Sequence, residues 1–83
     1  MREIGGQTIW STVDVCKSLG LSLGGLRVRI KAGRVPPADF RLGRENGWSD
    51  FGRFCRLVML TGSQERATEL ILQERKARYE VAA

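Results

Sequence analysis

Histidine is absent from this 83-residue chain. The most common general base and the nitrogen ligand of zinc are therefore missing, and Cys16 and Cys55 alone cannot complete a four-ligand metal site. The two cysteines lie far apart in sequence, at apolar positions of expected helices. They read as buried free thiols in a reducing compartment. The two prolines are adjacent, Pro36-Pro37, and bar helix at that one point. No apolar run approaches the roughly 20 residues that cross a bilayer, and Met1-Arg2-Glu3-Ile4-Gly5-Gly6 lacks the hydrophobic stretch of a signal peptide. The expectation is a cytoplasmic, nucleoid-associated protein of one small domain with a thin core.

An active site is equally hard to find. There is no glycine-rich phosphate loop, and no carboxylate pair sits in a constrained context. Gly24-Gly25 lacks the strand before it and the Lys-Ser/Thr after it that such a loop requires. Catalytic residues, a metal, a cofactor and a small-molecule ligand are all unexpected, so the chain reads as a binding protein.

What the chain does have is positive charge, unevenly placed. Its net charge is +5. Residues 1–62 hold ten Lys/Arg against five Asp/Glu, whereas residues 63–83 hold four of each. A basic body with a neutral tail fits a DNA-facing domain over 1–62 and a C-terminal helix over 63–83 with a docking or oligomerising purpose.

Gln7 to Trp10 reads as a short extended lead-in. Ser11 is an N-cap with Asp14 as capping-box partner, for a helix from Thr12 to about Leu19 that Gly20 ends. Val13 and Cys16 lie on its inward face, with Val15 and Leu19 beside them. Ser22 caps a second helix from Leu23 to about Ala32, closed by Gly33, with Leu23, Leu26 and Ile30 facing the core. Phe40 to Arg44, a turn at Glu45-Asn46-Gly47, and Trp48 form a short β-hairpin. Ser49 caps a third helix from Asp50 to about Leu60, whose apolar side is Phe51, Phe54, Cys55, Leu57 and Val58. A last helix runs from Gln64 to Val81, its basic end formed by Arg75, Lys76 and Arg78. The fold class is mainly α with a small β-hairpin.

Two helices joined by Gly20-Leu21-Ser22 make a helix-turn-helix, whose second helix enters the DNA major groove. Gly24, Arg27, Val28, Arg29 and Lys31 are then the candidate base-reading residues, since arginine can hold guanine through O6 and N7. Ser22, Arg34, Arg41, Arg44 and Asn46 are candidates for the phosphate backbone, the contact that dominates affinity. For the last helix, Ala67, Leu70 and Ile71 either join two copies or fold back on their own domain. Sustained heptads are missing, so a long coiled coil is not expected.

The stretch Ser11-Thr12-Val13-Asp14-Val15-Cys16-Lys17-Ser18-Leu19-Gly20-Leu21-Ser22 resembles the opening of excisionase, AlpA-like and MerR-like DNA-binding domains. Leu26 and Ile30-Lys31-Ala32-Gly33-Arg34-Val35-Pro36 match the next piece, a recognition helix ending in a Gly-x-apolar-Pro step. Leu42-Gly43-Arg44 followed by Trp48-Ser49 resembles the wing. The resemblance runs from about Trp10 to Leu60 and implies a winged helix-turn-helix plus a C-terminal helix. It places Ser22 to Lys31 in the major groove and Arg44 to Gly47 along the adjacent backbone or minor groove. The chain departs from the pattern at Leu23-Gly24-Gly25, where relatives commonly carry polar residues. It departs again at Arg27-Val28 and at Arg29, which stands where relatives usually have an apolar side chain. Either the helix is rotated, or Arg29 reaches a phosphate while its stem covers apolar surface.

The resemblance implies a sequence-specific binder of double-stranded DNA, first of all a phage or mobile-element excisionase. Such a factor binds repeated sites, bends DNA, and contacts neighbouring copies or an integrase. The alternative is a small prophage-type transcriptional regulator that dimerises through its last helix. A terminase-like packaging component or a protein-interaction adaptor forms a third class.

Overall fold

The computed structural model describes the backbone of residues 1–82 and the side chains of residues 1–78. The chain opens with a β-hairpin that the sequence reading missed. Strand β1 (Arg2–Ile4) pairs antiparallel with β2 (Gln7–Ser11). Gly5 and Gly6 between them both have positive φ, 58° and 83°, which a tight two-residue turn demands of both central positions. Gly-Gly was the available signal, and the exposed, short β1 offered no alternation to support it.

Ser11 ends β2 and begins α1 (Thr12–Leu19). Its Oγ accepts from the Asp14 backbone N–H at 3.2 Å, and Asp14 Oδ2 accepts from the Ser11 N–H at 3.0 Å, the expected capping box. Gly20 is left-handed, φ 67°, and the Leu21 N–H closes the helix end on Cys16 O at 2.9 Å. Ser22 then caps α2 (Leu23–Lys31), its Oγ accepting from the Gly25 N–H at 3.1 Å. Gly33, φ 76°, turns the chain out of α2 where expected.

Strands β3 (Phe40–Leu42) and β4 (Glu45–Trp48) form the second hairpin, but its turn is Gly43-Arg44 and not Glu45-Asn46-Gly47. Gly43 supplies the positive φ, 63°, at the first turn position. Asn46 and Gly47 are instead strand residues, paired with Arg41 and Phe40. Gly47 is needed for a different reason: a Cβ there would stand 2.8 Å from Ile9 Cγ2, and Ile9 is fully buried. Across its other edge β4 pairs with β2, Trp10 opposite Trp48 and Ser11 opposite Gly47. The result is one four-stranded antiparallel sheet in the order β1-β2-β4-β3, so strand content exceeds the single expected hairpin.

Helices α3 (Phe51–Thr61) and α4 (Gln64–Ala82) complete the chain. Asp50, not Ser49, is the N-cap of α3 and makes no side-chain cap bond. The Ser49 N–H and hydroxyl donate to the Asp39 carboxylate, and the Asp50 carboxylate is taken by Arg75. Arg75 Nε and Nη2 donate to Asp50 Oδ2 and Oδ1 at 2.7 and 2.9 Å, and Nη1 donates to Pro37 O at 2.8 Å. Arg75 is therefore a buried tie between α4, the start of α3 and the loop before β3, and not part of a basic helix end. Trp48 Nε1 donates to Pro36 O at 2.8 Å and fixes the same loop from the sheet side.

A single core links both segments. Val15, Leu26, Val35, Trp48, Phe51, Phe54 and Leu57 pack in one cluster with Ala67 and Ile71 of α4. Ala67 and Ile71 are fully buried and Leu70 packs against the cluster. Of the two expected roles for this stripe, folding back is the one seen: Ala67, Leu70 and Ile71 are turned inward and finish the core built by residues 1–62. Two apolar assignments also change. Val13 and Leu23 are exposed, 60% and 48%, because α1 turns Val15 inward and α2 turns Leu26. Cys16 and Cys55 are free and half-buried, and burial pushes the Cys55 thiol pKa up.

Candidate nucleic-acid interface

Helix α2 has an inner and an outer face, set by 3.6 residues per turn. Leu26 is buried and Ile30 packs against the core. Gly24, Arg27, Val28 and Lys31, spaced three, one and three apart, are all exposed. Four of the five candidate base-reading residues therefore share one outward face. The fifth, Arg29, does not join them. It is half-buried, and its Nη1 donates to Gln64 Oε1 at 2.9 Å, which ties α2 to the start of α4. That bond explains an arginine at a position facing the domain: the stem covers apolar surface while the head finds an amide.

Beside the outer face lies a groove of about 370 Å³ between α2 and the β3–β4 hairpin. Arg27 lines it from the helix, and Arg44 and Asn46 line it from the hairpin. Thr12, Val13 and Leu23 form part of its wall, and none of these three was a sequence-level candidate. Val13 and Leu23 stand at apolar positions expected to face the core, and their rotation about the helix axes brings them out. Arg44 occupies the hairpin tip. Arg41 is exposed on β3, its Nη1 donating to Asn46 Oδ1 at 3.3 Å across the strand pair. Arg34 sits past the end of α2, with Nε 3.4 Å from Glu65 Oε1; both side chains are exposed, so the pair is weak and exchangeable. Ser22 is engaged as the α2 cap.

The cations of this surface are mostly unpaired. Among the described residues, Arg27, Lys31 and Arg44 have no carboxylate partner. On the far side, a larger groove of about 470 Å³ lies by Trp10, Gly52 and Arg53, but there Arg53 donates to Glu74 at 3.1–3.3 Å and Arg78 approaches Asp50 at 3.5 Å. Exposed Arg2, Lys17 and Arg56 also stand away from carboxylates, but Arg27 and Arg44 line one groove, which Glu45 lines as well. No group of His, Cys, Asp and Glu among the described residues could hold a metal ion, and no helix is long and apolar enough to cross a membrane.

Comparison with known proteins gives no match to any family model, curated protein or solved structure.

Proposed function

We propose that this chain is a double-stranded-DNA-binding protein with a winged helix-turn-helix, α2 entering the major groove and the β3–β4 hairpin acting as the wing. The observation that carries the reading is the unpaired Arg27 and Lys31 on the outward face of α2, with the unpaired Arg44 across the groove on the hairpin tip. A helix about 10–12 Å across fits a major groove about 12 Å wide. A cation held to one side of it then meets the flanking phosphates. Exposed Arg34 and Arg41 extend the phosphate-facing surface.

Within this class, an excisionase-type architectural factor fits best. The last helix is used in its own core, which disfavours a regulator dimerised through Ala67, Leu70 and Ile71. Bending a 20–30-bp site costs on the order of 1–6 kcal/mol, and adjacent copies on repeated sites would offset that cost. The deciding experiment is anisotropy titration of a labelled 30-bp duplex at several salt concentrations. Log affinity falling linearly with log salt supports the DNA reading; a folded protein that ignores DNA at low salt removes it. Circular permutation of a selected site then separates a bending factor from a protein that leaves the duplex straight.

A further inference from the structure

Val28 is out of place on the outward face of α2. It is 67% exposed and takes no part in the core cluster. One turn earlier on the same face stands Gly24, and three residues later Lys31. A β-branched residue and a glycine both weaken a free helix. Packing does not require Gly24, since an added Cβ would meet only Ser22 Oγ at 4.0 Å, and its φ is not positive. The face is therefore pared down at its first turn, carries a small apolar knob one turn later, and has the i,i+4 pair of cations Arg27 and Lys31 along one flank of that knob.

Resting on the DNA reading above, we infer that Val28 reads the 5-methyl group of a thymine in the major groove, beside a guanine held by Arg27. The thymine methyl is the apolar feature among the base edges of that groove. A short side chain can touch it only from a helix that lies deep, and Gly24 removes the side chain that would hold the helix off. Arg27 and Val28 are consecutive on α2 and point about 100° apart around its axis, so the guanine is to be sought within a base pair or two of the thymine.

The test begins with a site selected from a random duplex pool, in which each thymine is replaced in turn by deoxyuridine. Affinity is read by anisotropy at fixed salt. One replacement should weaken binding about fourfold, the worth of burying one methyl group, and the others should change little. Val28→Ala, at an exposed position where alanine is the better helix former, should bind thymine and uracil alike at that position with its salt dependence unchanged. Arg27→Ala should relax the choice of the neighbouring guanine. The inference is overturned if every thymine can be replaced without loss, if Val28→Ala still discriminates, or if binding is salt-dependent but selects no sequence. Those outcomes leave the DNA reading standing. Absence of salt-dependent binding would remove both together.

Discussion

Replacing Arg75 with methionine should remove a large share of the protein's stability. The guanidinium is 10% exposed, and the carboxylates it meets are nearly as covered: Asp50 at 9%, with Asp39 at 14% and 3.9 Å away. Methionine keeps much of the apolar stem but leaves the Asp50 carboxylate without its bidentate partner and Pro37 O without its donor. Breaking a buried pair from one side costs about 3–5 kcal/mol, because a desolvated charge is left uncompensated. Exposed Arg78, 3.5 Å from Asp50, recovers a little, so the lower end of that range is expected. A chain of 83 residues has a total stability of about 4–12 kcal/mol, and each kcal/mol moves Tm by about 4–8 °C at this size. Urea unfolding followed by circular dichroism should show the loss directly. Combining Arg75→Met with Asp50→Leu should be less damaging than Arg75→Met alone, since the only covered carboxylate then left by the lost guanidinium is Asp39, which still accepts from Ser49. A single variant within about 1 kcal/mol of the parent, or a double variant worse than the single, would refute the reasoning.

Three further outcomes follow from other parts of the fold. Gly47→Ala should cost about 1–3 kcal/mol in urea midpoint analysis through overpacking against Ile9, whereas Gly24→Ala, in open space on α2, should raise stability by about 0.5–1 kcal/mol. Asp14 has its pKa lowered from 3.8 to about 2 by the N-terminal ammonium at 2.7 Å and the Ser11 N–H. A folded value below the unfolded one stabilises above about pH 4 and is lost as pH falls towards 2, so Asp14→Asn should melt below the parent at pH 6 and with it at pH 2. In DNA titrations, Lys31→Ala and Arg44→Ala should each lower the log–log salt slope by about 0.9, while Arg29→Ala, whose head lies on Gln64, should leave it unchanged.

The caps made the helices legible. Ser11 with Asp14, Ser22 with Gly25, and Gly20 and Gly33 place the helix ends by local bonds that short windows of sequence contain. The outward set Gly24, Arg27, Val28 and Lys31 was legible for the same reason, since helical spacing fixes a face. What failed depended on partners far away in the chain. Gly47 looked like a turn residue because its contact, Ile9, lies 38 positions earlier. Arg75 looked like surface charge because Asp50 and Pro37 come from elements that only the tertiary fold brings together. Arg29 lost its expected role to Gln64, 35 positions later. The β1–β2 hairpin was missed because β1 is short and exposed on both faces, leaving only its turn to announce it.

Ser11 belongs to two elements at once: it pairs with Gly47 in the sheet and caps α1. No slack residue separates β2 from α1, and β2 joins its own hairpin to β4 of the other. The arm that carries Arg44 and the helix pair that carries Arg27 and Lys31 thus share one stiff joint, and the gap between them is a fixed gauge. Such a gauge cannot open to suit whatever duplex it meets. On the proposed reading the accommodation falls to the DNA, so sequences with easily deformed steps next to the contacted bases would be preferred even where no side chain touches them.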